Sequence, residues 1–215
     1  MTLQHFTRRK WLFGVGLTLL APSIIIAPTP ARATTDIAGA MPDLQFTLTR
    51  ASDGKTVTAD DYRGKIVLLF FGYTNCPDIC PLTLANLTQV LSKMGNEADE
   101  VRLLFVTVDP ERDTIGTLKA YQDAFAPQTV ALRGTDNQLS VLAKRYRAAY
   151  SVTPGQKGEP PTVSHGSGVY AFNREGAVQT LFTGLSNGDA DLESVRSGVT
   201  ELVAGSNCGS LFDWL

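Results

Sequence analysis

The stretch Ile66–Thr83 reads IVLLFFGYTNCPDICPLT, and it decides our interpretation of the fold. Its first eight residues form a continuous apolar and aromatic run, which is typical of a β-strand covered on both faces. Two cysteines follow, Cys76 and Cys80, and a proline comes directly after each. Leucines then recur at helical spacing as far as a stop signal at Gly95. The stretch therefore predicts a buried strand, a turn that carries the cysteines, and a helix.

The rest of the chain predicts further strands and helices in alternation. The predicted strands are 44–48, 101–109 and 148–152, together with a hairpin around Arg174-Glu175-Gly176. The predicted helices are 114–125, 136–147 and 188–203, and Asp136 is the candidate cap of the second. Residues 154–161, PGQKGEPP, predict a loop. This pattern favours an α/β fold of one domain, with a central mixed β-sheet flanked by helices on both faces. We place that domain at residues 44–203, after a flexible lead-in at 34–43 and before an irregular tail at 204–215.

The first 33 residues resemble an export signal rather than part of the fold. A pair of arginines, Arg8 and Arg9, precedes an apolar run of about 17 residues that contains Pro22 and falls short of the roughly 20 residues of a membrane-spanning helix. The small-residue site Ala31-Arg32-Ala33 follows. This order predicts export by the twin-arginine route and cleavage after Ala33, which makes the protein periplasmic or otherwise extracytoplasmic. An uncleaved leader would instead attach the protein to a membrane.

Charge and composition exclude one class of partner. The 215 residues carry a formal net charge of −2, and since the leader holds four basic residues and no acidic one, the remainder carries −6. A mildly acidic protein without a basic patch is a poor candidate for binding nucleic acid.

The two prolines define the expected environment of the cysteines. Pro81 cannot lie deep inside a helix, because it lacks an N–H group and its ring clashes with the preceding turn. We therefore expect Pro81 at the first helical position and Cys80 at the N-cap, with both sulfur atoms near the helix N-terminus. The positive end of a helix favours the thiolate, which is the form that attacks disulfides and binds metals. A structural disulfide is the alternative in an exported protein, but a bridge over so short a loop removes little chain entropy.

His165 is the only histidine after the leader, and it lies between the predicted loop and a predicted strand. Two cysteines and one histidine form a known set of metal ligands. Two soft thiolates and an imidazole suit copper, especially Cu(I) in a trigonal site. Zinc is the chemical competitor, but it would require a fourth ligand, and the sequence offers no obvious one.

Three segments together resemble the SCO/SenC family of extracytoplasmic copper proteins. They are FFGYTNCPDICPLTLANL, FVTVDPERDTIGTLKAY and SHGSGVYAFNREG, in this order, and the similarity extends from about Asp43 to Val203. The resemblance implies a thioredoxin-like fold with Cys76, Cys80 and His165 as copper ligands. It also implies delivery of copper to the CuA centre of cytochrome c oxidase subunit II, or reduction of the cysteines of that centre.

The chain departs from the family pattern at Ser164, where an acidic residue often precedes the histidine. This substitution removes a carboxylate that could orient the imidazole. Asp109 and Asp113 could shape the site from the neighbouring strand, although we favour a role in capping and turn formation. Asp78, between the cysteines, could face solvent or a partner. Cys208 lies outside the family motif and is interpreted as a free, reactive thiol on the tail.

The sequence leaves several functions open. The leading interpretation is a copper metallochaperone that holds Cu(I) or Cu(II) and passes it to a copper or thiol protein. A thiol–disulfide oxidoreductase, which would make the protein an enzyme, could use Cys76 and Cys80 as its redox-active pair. A thiol peroxidase and a redox or copper sensor are further alternatives.

Overall fold

The computed structural model describes residues 34–159 and 161–205. Within them, ten strands form: β1 Thr34–Asp36, β2 Thr47–Arg50, β3 Thr56–Thr58, β4 Ile66–Gly72, β5 Val101–Thr107, β6 Thr129–Arg133, β7 Tyr150–Thr153, β8 Thr162–His165, β9 Val169–Phe172 and β10 Val178–Phe182. Four α-helices accompany them: α1 Ile79–Met94, α2 Ile115–Gln122, α3 Asp136–Arg145 and α4 Leu192–Gly205.

Eight strands form one mixed sheet in the order β1-β10-β9-β4-β5-β6-β2-β3. Strands β4, β5 and β6 are parallel, and α1 and α2 form the connections between them. Every other pairing in the sheet is antiparallel. Strands β7 and β8 form a separate antiparallel ribbon. This arrangement confirms the predicted α/β class and the central mixed sheet flanked by helices.

The centre of the sheet is apolar on both faces, as the sequence predicts. All seven residues of β4 are buried, and β5 is buried except at Arg102. The Phe70 ring lies 6.1 Å from the Phe105 ring, which in turn lies 5.3 Å from the Tyr121 ring on α2. Because β4 and β5 are parallel, the segments that follow them leave the sheet at the same edge. The cysteines are therefore held at the end of the best-packed strands of the protein.

Helix α1 ends as predicted. Its last residue is Met94, and Gly95 follows with φ of +58°, a left-handed conformation that glycine adopts without steric cost. The predicted cap of α3 is wrong by one residue. Thr135 rather than Asp136 is the N-cap, and its hydroxyl accepts a hydrogen bond from the backbone N–H of Gln138 while the Gln138 side chain reaches back. Such a reciprocal capping box satisfies two backbone donors, which a lone aspartate could not do.

The structure also contains strands that the sequence did not predict. The predicted lead-in at 34–43 includes β1, which pairs with β10 at the edge of the sheet. Strand β6 follows α2, and β8 ends at His165. Each of these segments is short and partly polar, so neither length nor alternation distinguishes it from a loop.

The predicted export signal, its cleavage site and most of the tail, including Cys208, lie outside the described residues. Among the residues that are described, no helix combines the length and apolar character needed to span a bilayer.

Candidate metal centre

The structure brings Cys76, Cys80 and His165 together. One potential ligand atom from each side chain lies within 4.8 Å of the others. Cys80 Sγ and His165 Nε2 lie 3.0 Å apart. Both cysteines are free thiols and are buried, and His165 is partly exposed. The predicted convergence of a residue 85 positions downstream with the two sulfur atoms is thus present in the fold.

The cysteine segment is a tight turn between β4 and α1. The backbone N–H of Cys76 donates to the Tyr73 carbonyl at 3.2 Å, and the Cys80 N–H donates to Cys76 Sγ at 3.4 Å. Helix α1 begins at Ile79 with Asp78 at the N-cap, so the predicted N-cap at Cys80 is wrong. Pro81 lies at the third helical position, where its missing N–H costs nothing because the first four N–H groups of a helix have no partner within the helix.

Three contacts hold His165 against the end of β4. Tyr73 donates a hydrogen bond from its hydroxyl to the carbonyl of Val163, two residues before the histidine, at 3.3 Å. The rings of Tyr73 and Phe70 pack edge-on against the imidazole, at centroid distances of 5.7 and 6.0 Å. Tyr73 is buried with the core, and it also forms a wall of the site.

The hydrogen bonds of His165 define which nitrogen is free. Its Nδ1 lies 2.9 Å from the Gly166 carbonyl, which can only accept, so Nδ1 carries the proton. Nε2 therefore presents a lone pair to the Cys80 thiol. The Gly166 carbonyl thus orients the imidazole, which is the role that the missing carboxylate at Ser164 would have had. Ser164 itself is exposed.

Burial makes Cys80 and His165 a neutral pair in the metal-free protein. Cys80 is completely buried, and this raises the pKa of its thiol far above the ordinary value, with a smaller contribution from Cys76. Burial also lowers the pKa of His165 below 6.5. Our expectation that the helix terminus would favour a thiolate is therefore wrong for Cys80, because desolvation outweighs the helix dipole at this position.

The residues present fit a soft metal ion. Ligand atoms bound to one ion through bonds of about 2.0–2.3 Å lie about 3.5–4 Å from one another. The observed separations, from 3.0 Å between Cys80 and His165 up to 4.8 Å, bracket this value. Two thiols and an imidazole form a donor set for copper or zinc rather than for magnesium or calcium. A pocket of about 250 Å³, whose lining includes Cys76, Pro77 and His165, connects the group to the surface.

Two aspartates that the sequence singled out do more than form a turn. Asp113 is completely buried and binds Thr74 and Thr107, whereas the N-cap of α2 is its neighbour Thr114. Asp109 is 3% exposed and forms an ion pair with Arg112. The capping role that we favoured is thus not the one in the structure. Thr74 and Thr107 were missed, because no sequence pattern distinguishes them from other threonines at strand ends. Asp78 is exposed.

The neutral pair predicts how the stability of the reduced, metal-free protein varies with pH. Below pH 6.5 the unfolded chain protonates its histidine while folded His165 resists protonation, so the free energy of unfolding falls as the pH is lowered through this range. Above pH 9.0 the unfolded chain ionises its cysteines while folded Cys80 does not, so stability falls again as the pH rises.

Urea unfolding at a series of pH values measures both effects. His165→Ala should remove the part of the acid-side loss that begins near pH 6.5, and Cys80→Ser should reduce the alkaline loss. Identical pH profiles for the wild type and both variants would contradict the neutral-pair assignment.

Comparison with known proteins places the site in a family. The SCO1/SenC family profile matches residues 36–200. The mouse mitochondrial protein SCO2 homolog is 36% identical over 138 residues, which are 63% of this chain and 54% of that protein. The chain thus spans about half the length of the curated relatives it matches.

Solved structures give the same result. Copper-bound ScoI of Bradyrhizobium japonicum is 34% identical with a TM-score of 0.66, and the match covers 74% of this chain and 98% of that one. BsSco, a member of the Sco family of cytochrome c oxidase assembly proteins in which a disulfide switch has been identified, is 26% identical with a TM-score of 0.60; the match covers 76% of this chain and 97% of that one. The fold, the arrangement of the site and the length of the profile match together show that this chain belongs to the SCO1/SenC family.

Proposed function

We propose that the protein is a copper metallochaperone that carries copper on Cys76, Cys80 and His165. The observation that carries this proposal is the convergence of ligand atoms from these three side chains within 4.8 Å of one another, with Cys76 and His165 lining a surface pocket. Binding of Cu(I) would release the protons of the two thiols, and the free Nε2 of His165 is already available. The incomplete burial of the histidine leaves one side of the site open, so a partner's thiolates could approach and exchange with the ligands.

The proposed acceptor is the CuA centre of cytochrome c oxidase subunit II or another copper or thiol protein. The assignment of BsSco to a family of cytochrome c oxidase assembly proteins supports it. The predicted leader supports action outside the cytoplasm after twin-arginine export, with the domain beginning near Thr34. Cleavage after Ala33 would keep the described pairing of β1, Thr34–Asp36, with β10.

Thiol–disulfide exchange is the second candidate, and the position of the two sulfur atoms favours it. Cys76 and Cys80 are close enough for a small shift to join them, and Cys76 lines the pocket. Copper binding requires both thiols to be reduced, whereas thiol–disulfide exchange converts them to a disulfide. One site could therefore serve both activities, but not at the same time. A thiol peroxidase receives less support, since a buried neutral thiol such as Cys80 is a poor nucleophile.

A copper titration of the reduced protein tests the proposal. We expect one Cu(I) per chain, measured under anaerobic conditions by competition with a chromophoric chelator. We expect no binding after the two thiols have been oxidised to a disulfide, because the ligand atoms are then consumed. Sub-stoichiometric binding by the reduced protein, or equal binding by the oxidised protein, would contradict the proposed site.

A further inference from the structure

We infer that Asp113 is the positioning residue that holds the Cys76 turn in place for metal binding. This inference rests on the proposed function and names a residue that acts through the ligands rather than on the metal. Asp113 lies outside the group of three candidate ligands and has no exposed surface. Its side chain nevertheless bonds to the segment that leads into Cys76.

The carboxylate of Asp113 accepts three hydrogen bonds. One oxygen accepts the backbone N–H of Thr74 at 3.0 Å and the hydroxyl of Thr107 at 2.5 Å, and the other accepts the hydroxyl of Thr74 at 2.5 Å. Thr107 is the last residue of β5, so one end of this network is fixed to the centre of the sheet. The other end fixes Thr74 by both its backbone and its side chain.

The position of Thr74 determines the position of Cys76. Thr74 lies inside the turn closed by the hydrogen bond from the Cys76 N–H to the Tyr73 carbonyl. Cys80 is fixed independently, because it lies within α1 and is completely buried. Cys76 lies in no helix or strand, and its one contact with α1 described above is the 3.4 Å hydrogen bond from the Cys80 N–H to its sulfur. Its distance from the other two ligands therefore depends on how rigidly Thr74 is held.

The segment that contains Asp113 also reaches the histidine side of the site. Arg112, held by its ion pair with Asp109, lies 5.7 Å above the ring of Tyr73. Tyr73 in turn contacts His165 edge-on. The segment 109–113 thus supports both halves of the site, and Asp113 is its direct link to the cysteine turn. Arg133 fixes the backbone of the same segment by donating to the carbonyls of Asp113 and Pro110.

The charge of Asp113 and its hydrogen bonds would affect copper binding in opposite directions. A site that holds copper through two thiolates is rich in negative charge, so removal of the nearby negative charge of Asp113 alone would not weaken copper binding. Loss of the three hydrogen bonds would instead release the turn and weaken copper binding. The two effects can therefore be separated by one pair of substitutions.

The test compares Asp113→Ala with Asp113→Asn in the full-length protein. Asparagine removes the charge but can keep the network, because its carbonyl oxygen can accept two of the bonds while its amide group donates to the rotated hydroxyl of Thr74. We expect Asp113→Ala to weaken Cu(I) binding about 10- to 100-fold, the usual cost of changing a residue that orients a ligand. We expect Asp113→Asn to bind copper at least as tightly as the wild type, within about threefold of it or tighter. The visible thiolate–Cu(II) band should shift or broaden in Asp113→Ala and remain unchanged in Asp113→Asn.

Two further variants keep the test decisive. Thr74→Val removes the hydrogen bond from the Thr74 hydroxyl to Asp113 and should also weaken copper binding. This variant provides the test if Asp113→Ala folds poorly. Tyr146→Phe is the matched control. Its buried hydroxyl donates to the Asp43 carbonyl and accepts from the Gln45 N–H, and neither of these partners belongs to the metal site, so its loss should lower stability without changing copper affinity.

The outcomes separate this inference from the proposed function. If Asp113→Ala lowers stability like Tyr146→Phe but leaves copper affinity and the spectrum unchanged, Asp113 is only structural and the inference is wrong. Tighter copper binding by Asp113→Ala would show that its charge dominates, which also overturns the inference. If the wild type binds no copper, the proposed function fails. Amide hydrogen exchange at Cys76 in the metal-free protein then decides whether Asp113 holds the turn, since faster exchange in Asp113→Ala supports the inference and unchanged exchange contradicts it.

Discussion

Gly72→Ala is expected to destabilise the protein by about 1–3 kcal/mol and to abolish stoichiometric copper binding, because the new methyl group would have no space. A Cβ at Gly72 would lie 2.7 Å from Cys80 Sγ and 2.7 Å from an edge carbon of the Phe105 ring. Neither neighbour can move freely, since Cys80 is completely buried and Phe105 is packed between the rings of Phe70 and Tyr121. The strand or the sulfur must therefore shift, and a displaced sulfur no longer matches His165.

Urea unfolding and Cu(I) competition on the same preparation measure both parts of this prediction. Gly188→Ala is the control, since a Cβ at that position meets nothing within 4 Å, and we expect its stability to stay within about 0.5 kcal/mol of the wild type. Wild-type stability together with wild-type copper affinity in Gly72→Ala would show that the close approach of β4 to Cys80 does not constrain the site.

The ligands were predictable from the sequence because each carries a chemical signal. Cysteines flanked by prolines at a strand–helix junction are conspicuous, and His165 is the only histidine after the leader. The supporting residues carry no such signal. Thr74 and Thr107 matter only because β4 and β5 are parallel neighbours in register, with Gly72 opposite Thr107, and this pairing is a property of the whole sheet.

The prediction of an activated Cys80 thiolate failed for a related reason. The helix terminus and the prolines are local features, and they favour the thiolate. Burial depends on residues that are distant in the sequence, such as His165 of β8, which lies 3.0 Å from the Cys80 sulfur, and local sequence does not show such contacts. In this protein the non-local effect is larger, so the site is a neutral thiol–imidazole pair before metal binds.

In the fold as well, the long elements could be predicted from the sequence and the short ones could not. The strands β4 and β5 and the helix α1 were predicted within a few residues, since long apolar runs and helical periodicity are strong signals. Strands β1 and β8 have three and four residues and exist because a partner strand is available to them. That β8 ends at His165 could not be predicted without knowing that β7 pairs with it.

His165→Ala is expected to weaken Cu(I) binding by more than about 100-fold while thiol–disulfide exchange continues. A residue that only orients a metal ligand already contributes 10- to 100-fold to affinity, so loss of the ligand itself should cost more. The fold should survive, because β8 belongs to a ribbon outside the main sheet. The substitution removes two side-chain hydrogen bonds, one with the Cys80 thiol and one with the carbonyl of the adjacent Gly166.

Reduction of glutathione disulfide by the same variant separates the two candidate functions. If the protein carries copper, His165→Ala loses most of its affinity for copper. If its task is only thiol–disulfide exchange, the imidazole is not needed and the variant reduces glutathione disulfide at the wild-type rate. Ser164→Ala is the matched control, since this exposed neighbour holds neither metal nor thiol and should leave both activities unchanged. Copper affinity in His165→Ala equal to that of the wild type would mean that two sulfur atoms alone hold the metal. The imidazole would then be a hydrogen-bond acceptor for the Cys80 thiol, 3.0 Å away, and not a ligand.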